Sequence, residues 1–175
     1  MLPDEIWQLT QLEELNIFFG KMTQLSPLVG QLHNLKRLKV LGNRLTILAE
    51  SIGTLRSLQR LNVMENRLAS LPESIGDATE LRSVTAHTNR LTRLPQSIGR
   101  LRHLQILDLA GNRLRGLPLS LRKLSALRGL SLHENPDLNI PIDVLGPYEF
   151  KSGVCPTRPS EILGFYFKQL GAKSY

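Results

Sequence analysis

A repeat of 23 residues constrains the fold of this chain more than any other feature. Within one unit the spacing is L-x-x-L-x-x-L-x-L-x-x-N-x-L-x-x-L-P-x-x-I-G, and residues 55–76 form a complete copy. A fixed period of this length is typical of a solenoid, in which each unit buries its apolar face against its neighbours. Six units start at Leu9, Leu32, Leu55, Ala78, Leu101 and Leu124.

Each unit is expected to supply one strand and one short helical turn. Leu61 and Val63 alternate with polar residues, which predicts a short strand with one buried face. The segment from Pro72 to Gly76 is too short and too proline-rich for a long helix, so a 3₁₀ turn is predicted. Strands joined by such crossovers run parallel, about 4.8 Å apart, and pack more closely than the segments behind them. We therefore predict an α/β horseshoe with a parallel sheet on its concave side and short 3₁₀ or helical segments on its convex side.

An asparagine recurs at one position, where the chain leaves each strand. Its amide can pair with main-chain groups of the same and neighbouring units that would otherwise be buried without partners. We predict a structural ladder formed by Asn43, Asn66, Asn89, Asn112 and Asn135. Gly20 stands at this position in the first unit, which predicts a looser turn there.

Both ends of the solenoid depart from the pattern. Residues 1–8 match the tail of a unit, so the solenoid is expected to span residues 1–146. No polar cap precedes the first unit, and the strand near residues 15–17 is expected to be exposed, covered by another molecule or used for self-association. Prolines and glycines after residue 146 indicate irregular chain within 147–175. Helical spacing then predicts a capping helix that ends at Gly171, with a partner-binding helix as the alternative; its apolar face is Ile162, Leu163, Tyr166, Phe167 and Leu170.

The repeat with its L-P-x-x-I tail resembles the Ras-suppressor-like, or plant intracellular, class of leucine-rich repeats. The resemblance covers residues 2–146. Residues 135–147, followed by residues 159–167, look like the end of the repeat domain in Roco-type proteins, where such a helix precedes a Ras-like GTPase domain. The chain has no Walker G-x-x-x-x-G-K-[S/T] motif. The resemblance therefore implies a sensor or scaffold arm of a larger signalling protein.

The concave face is expected to bind a protein or peptide partner. Side chains between the inward positions of each strand point to that face, and apolar groups beside charged ones are typical of binding surfaces. The predicted contact residues are Phe18, Phe19, Arg37, Lys39, Leu41, Arg60, Met64 and His87. Packing of Phe18 and Phe19 against a preceding unit is the alternative.

A second set of candidates is a row of arginines that follow the asparagines, Arg44, Arg67, Arg90 and Arg113. The chain has a net charge of +7, and residues 82–128 carry ten basic residues against Asp108 alone. This basic rim is interpreted either as solvated cover or as a site for phosphorylated or acidic ligands. Nucleic acid is a weaker candidate partner, because no aromatic residues interleave with the arginines.

No arrangement of residues indicates an enzyme, a metal or a cofactor. His87 and His133 are expected to lie two strands apart, roughly 10 Å, too far to share one ion. Asp108 on the intervening strand could pair with either histidine, but no serine has a base beside it. Bacterial effector ligases also join leucine-rich repeats to a catalytic cysteine, so the substrate-recognition domain of an effector is an alternative function.

The cellular location is predicted to be the cytoplasm. Cys155 is the only cysteine, so no internal disulfide can form. The first ten residues do not resemble a signal peptide, and no apolar run approaches membrane-spanning length. The sequence also has no Asn-x-Ser/Thr glycosylation site.

Overall fold

A computed structural model describes residues 3–147 and 158–172 of the chain. Six strands form one sheet in chain order, and every neighbouring pair is parallel. Partners are 23 residues apart, as in Leu38 with Leu61 and Leu61 with Val84, so the sequence period is the register of the sheet. The strands are β1 (Glu14–Phe18), β2 (Arg37–Leu41), β3 (Arg60–Asn62), β4 (Ser83–Thr85), β5 (Ile106–Asp108) and β6 (Gly129–Ser131).

Short 3₁₀ segments run along the side opposite the sheet, which confirms the predicted turn type. Several begin directly after a proline in extended conformation, as the segment after Pro72 does. At this position proline fixes φ near −68°, in the extended conformation of the residue that precedes the turn. These segments are Asp4–Gln8, Pro27–Gln31, Glu50–Thr54, Glu73–Asp77, Gln96–Arg100 and Leu119–Lys123. A further 3₁₀ segment, Pro136–Leu138, directly follows Asn135 where the chain leaves the last strand.

The core lies between the sheet and these segments. Leu61 and Val84 point inward from the strands, Ile75 points inward from a 3₁₀ segment, and each is no more than 1% exposed. Ala78 opens its unit in place of leucine and is also fully buried. Aliphatic side chains at equivalent positions thus form one continuous core along the stack.

Glycine at the end of the convex segment lets successive units approach closely. A Cβ atom built on Gly76 would lie 2.3 Å from the carbonyl oxygen of Ser97, and one on Gly53 would lie 2.5 Å from that of Ser74. Arg122 takes this position in the last complete unit, where its guanidinium carbon lies 5.9 Å from the ring centroid of Phe167. The convex stack therefore ends where glycine is replaced.

Two α-helices follow the repeats, α1 (Ile142–Leu145) and α2 (Pro159–Ala172). Three residues of the predicted apolar face, Ile162, Leu163 and Tyr166, are buried, and the Tyr166 hydroxyl accepts a hydrogen bond from the Leu117 amide at 3.1 Å. The predicted helix therefore covers the end of the core, although Leu170 stays 46% exposed. The predicted stop at Gly171 is wrong, because the helix continues to Ala172.

The first strand forms the other edge of the sheet. Within the described part of the chain, β1 pairs only with β2. Trp7 in the preceding 3₁₀ segment is 2% exposed and belongs to the core. The irregular segment predicted around Cys155 lies outside the described residues.

Candidate binding surface on the concave face

An apolar patch lies at the carboxyl ends of the first three strands. Phe18 is 48% exposed and Phe19 is 75% exposed, while Leu41 and Met64 are partly exposed. Phe18 and Leu41 are register partners on β1 and β2, and Met64 lies at the equivalent position after β3. These four residues are referred to below as the concave patch.

The backbone of Phe19 adopts a conformation that its side chain disfavours. Its φ is 47°, in the left-handed region, and the equivalent position of the next unit holds Gly42 with φ 63°. An L-residue in this region costs about 1–2 kcal/mol, a cost that glycine avoids. The Phe19 ring lies against Gly42, because a Cβ atom there would be 2.5 Å from Phe19 Cδ1. A positive φ recurs at this position in the other units, at 55° in Glu65, Thr88 and Glu134 and at 63° in Gly42 and Gly111, so the conformation belongs to the repeat. Phe19 differs from these residues in carrying a large apolar ring that is 75% exposed, which makes it a candidate binding residue.

Two of the three predicted cations beside the patch, Arg37 and Lys39, share one carboxylate within the chain. Arg37 Nε lies 2.6 Å from Glu14 Oε2, and Lys39 Nζ lies 3.2 Å from Glu14 Oε1. Hydrogen bonds from Arg37 first, then from Asn16 and Lys39, lower the pKa of Glu14 to about 2. Arg60 is exposed and forms no ion pair with a described residue. Among the predicted cations, Arg60 is therefore the one left available to a ligand.

His87 is not exposed, contrary to the sequence-based prediction. It is 4% exposed, and its Nδ1 atom lies 3.1 Å from Thr88 Oγ1. Ala110 and His133, the next residues in the same row, are 3% and 4% exposed. Side chains on neighbouring strands stand about 4.8 Å apart and cover one another on the inner side of a curved sheet. In this row, the exposed apolar side chains therefore belong to the first three units.

Asp108 lies close to both histidines, as its place on the intervening strand suggested. Burial raises its pKa, whereas the hydrogen bond from the Ala110 amide and the charges of His87 and His133 lower it. His133 Nε2 lies 2.7 Å from the carbonyl oxygen of Gly146. Within the described residues, no group of three or more histidine, cysteine, aspartate or glutamate side chains could hold a metal ion.

The recurring asparagines use their amide groups within the fold. Asn89 donates to the carbonyl oxygens of Val63 and Ala86 at 2.9 and 3.1 Å, and accepts from the Leu68 amide at 2.9 Å. Asn43 at the amino-terminal edge makes fewer and longer bonds, including 3.3 Å from the Met22 amide. Equivalent bonds to two or more units are formed by Asn66, Asn112 and Asn135. These buried side chains hold the strand exits together and leave no amide for a ligand.

Comparison with known proteins gives the same architecture. Residues 79–136 match the model of the leucine-rich repeat family. A leucine-rich repeat protein of Leptospira interrogans superposes with a TM-score of 0.69 and 34% identity, over 77% of this chain and 40% of that one. The chain has the leucine-rich repeat fold. A search of the curated proteins finds no match.

Two plant receptors share this leucine-rich repeat fold. One is the plant peptide hormone receptor RGFR1 in complex with RGF2, with a TM-score of 0.71 and 30% identity over 77% of this chain and 22% of the receptor. The other is the ectodomain of the Arabidopsis thaliana receptor kinase GASSHO1/SCHENGEN3 in complex with CASPARIAN STRIP INTEGRITY FACTOR 2. Its TM-score is 0.71, with 32% identity over 77% of this chain and 17% of that chain. The repeat domain thus spans less than half the length of each of these three proteins.

The basic rim of the repeat domain is exposed as expected. The main chain of Arg90 is fixed, since its amide donates to the Leu68 carbonyl at 3.0 Å, but its side chain is exposed. Arg44, Arg67 and Arg113 are held in the same way, and none of the four forms an ion pair with a described residue. In the described chain no helix is both long and apolar enough to cross a bilayer.

Two features of the repeat domain were missed by sequence reasoning. The first is the pairing of Glu13 with Lys36 at 2.6 Å and of Glu14 with Arg37. Opposite charges exactly one period apart face each other on adjacent strands, so the spacing itself carried this signal. The second is a cavity beside α2, described below, for which the repeat pattern contained no signal.

Proposed function

We propose that this leucine-rich repeat domain binds a protein or peptide through the concave patch, with Arg60 at its margin. The observation that carries the proposal is the exposure of two adjacent aromatic side chains, Phe18 at 48% and Phe19 at 75%. Two proteins with the same fold are receptors in complex with a ligand. An apolar centre beside a charged margin is the usual composition of a binding surface.

The patch favours a ligand with apolar side chains and an acidic residue. Phe18, Leu41 and Met64 follow one another across three strands, so an extended segment can lie across them. Arg60 begins β3 and is register partner of Arg37. Since Arg37 is already paired with Glu14, a ligand carboxylate would meet Arg60 as its available partner.

The test is a peptide-display selection against the wild-type domain, followed by affinity measurement with two glycine variants. Phe19→Gly removes the exposed ring and relieves the strained backbone. Glu65→Gly is the matched control, because Glu65 has φ 55° at the equivalent position of the third unit. We expect Phe19→Gly to weaken binding by about 2 kcal/mol, the scale of an aromatic hot-spot residue, without lowering thermal stability. Glu65→Gly should leave affinity unchanged.

Two outcomes would contradict the concave patch as the binding site. One is unchanged affinity in Phe19→Gly. The other is a loss of stability in Phe19→Gly but not in Glu65→Gly, which would make the ring a packing element. Charge reversal at Arg60 is the cleaner electrostatic test, because Arg60 has no ion pair to lose among the described residues. Charge reversal at Arg37 would also break its ion pair with Glu14 and place a second negative charge beside that carboxylate.

A second candidate function is supported by the basic rim. Its four arginines are exposed, unpaired with described residues and spaced one unit apart, so they could bind an acidic or phosphorylated segment. A phosphorylated peptide whose binding survives Phe19→Gly but is lost on neutralising Arg67 and Arg90 would favour the rim over the patch.

We propose further that the domain is a non-catalytic sensor or scaffold arm of a larger cytoplasmic protein of the Roco type. The proposal is supported by the resemblance of residues 135–147 and 159–167 to the end of such domains. A GTPase sequence following Tyr175 in the full gene would support it. A large helical domain with a catalytic cysteine would instead favour the effector alternative.

A further inference from the structure

A cavity of about 640 Å³ lies between the last complete repeat and the first turns of α2. Six residues between Leu121 and Arg128 form one wall, and five residues between Arg158 and Gly164 form the other. None of its lining residues belongs to the concave patch or to the basic rim. The volume falls within the range of about 300–1,000 Å³ that is typical of small-molecule sites.

The floor of the cavity is apolar. Leu121, Leu124 and Leu163 line it and belong to the hydrophobic core, with 1%, 6% and 8% of each residue exposed. Leu127 lines it as well and is partly exposed. An aliphatic group placed here would contact leucine side chains on two sides and would be removed from water, which favours binding.

Three arginines surround this apolar floor, namely Arg122, Arg128 and Arg158. No acidic residue is among the described lining residues, and none of the three arginines forms an ion pair within the described chain. Arg122 is partly engaged by the ring of Phe167. Arg128 and Arg158 are exposed and available, and guanidinium groups bind carboxylate and phosphate with two parallel hydrogen bonds.

Gly164 keeps the helical wall of the cavity open. It lies inside α2, where glycine costs about 1 kcal/mol relative to alanine. A Cβ atom built on Gly164 would meet nothing within 4 Å. Packing among the described residues therefore gives no reason for this glycine, and its missing side chain leaves room for a ligand at this wall of the cavity.

We propose that this cavity binds a small amphipathic anion, a carboxylate or phosphate head group on a short aliphatic chain. The chain contacts the four leucines, and the head group is held by Arg128 and Arg158. Arg122 adds positive charge at the same opening. The site lies at the carboxyl-terminal end of the solenoid and is independent of the function proposed for the concave patch.

The test is a titration of the full chain with sodium decanoate and with decyl phosphate, followed by amide chemical shifts. Saturable shifts are expected in residues 121–128 and 158–164 with either probe, and the tighter probe identifies the head group. Acetate, which lacks the chain, and decylammonium, which reverses the charge, should not saturate. Arg128→Gln and Arg158→Gln should each weaken binding about tenfold, the loss expected for one charge-assisted hydrogen bond. Arg93→Gln is the control, because Arg93 is exposed and belongs to neither the cavity, the basic rim nor the concave patch.

Substitutions at Gly164 separate occupancy of the cavity from the stability of the helix. Gly164→Leu extends a side chain towards the cavity and should abolish binding, whereas Gly164→Ala should retain it, with circular dichroism reporting the fold of both. The proposal would be overturned if decylammonium bound as well as the anionic probes, or if neither anionic probe saturated. It would also be overturned if Gly164→Leu kept its affinity, or if the shifts were confined to residues 16–19.

Discussion

Asp108 shows how a single side chain can depart from what its position in a repeat suggests. The period predicts that its side chain lies on the concave face of the sheet, where it would be exposed. In the structure only 8% of the residue is exposed. His87 and His133 belong to two other units, and their charges lower the pKa of this carboxylate, against the effect of burial. The leucines and asparagines of the repeat were predictable because each performs the same task in every unit. The concave residues differ from unit to unit, and their burial is decided by neighbours 23 residues away.

The pH dependence of stability tests the environment of Asp108. Because burial raises its pKa above 3.8, the folded chain binds this proton more tightly than the unfolded chain. The stability gained from that proton is present at low pH and is lost as the pH rises from 3.8 through the folded-state pKa. Asp108→Asn, which keeps an acceptor for the Ala110 amide, should therefore be more stable than wild type at pH 8, by about 1 kcal/mol.

This advantage should vanish at pH 3, as measured by thermal unfolding at both pH values. Asp77→Asn is the control, because the Asp77 side chain is 43% exposed and pairs with Arg100 at 3.1 Å. Its removal should not stabilise the chain at either pH. Equal stability of wild type and Asp108→Asn at pH 8 would contradict a raised pKa.

At the scale of elements, the convex 3₁₀ segments set how closely the units stack. The sequence predicted these segments from their length and prolines, and the structure adds the reason for the glycine that ends them. A Cβ atom at Gly30, Gly53, Gly76 or Gly99 would lie within 2.8 Å of the next unit. Of the two helices after the repeats, the sequence predicted only α2, from the helical spacing of its apolar residues. Its packing partners could not be predicted, because they do not recur with the 23-residue period.

Gly76→Ala tests the packing of the convex segments. The added Cβ atom would lie 2.3 Å from the Ser97 carbonyl oxygen, so two backbone segments must separate, at a cost of about 1–3 kcal/mol. Gly164→Ala is the matched control, because its Cβ atom meets nothing within 4 Å and should stabilise α2 by about 1 kcal/mol. Urea unfolding measures both changes. Equal effects of the two substitutions would show that close approach is not the reason for the glycine.

Considered as a whole molecule, the domain has different surfaces at its two ends. The first three units present the concave patch, and the carboxyl-terminal end carries the cavity beside α2. Charge is divided in the same direction, because Glu13 and Glu14 neutralise cations at the first strands while residues 82–128 hold ten basic residues and one acidic residue. The 23-residue period was sufficient to predict the solenoid and its register. The ion pairs of Glu13 with Lys36 and of Glu14 with Arg37 could also have been read from it, because they join positions one period apart. The cavity could not, because it depends on contacts between non-equivalent positions.

Mapping a selected peptide onto the domain by amide chemical shifts tests the concave patch most directly. We predict that the shifts centre on residues 16–19, 39–42 and 62–65 and that they are lost with Phe19→Gly. Shifts confined to the convex segments at 96–100 and 119–123, or to α2, would contradict binding through the concave face of the first three units.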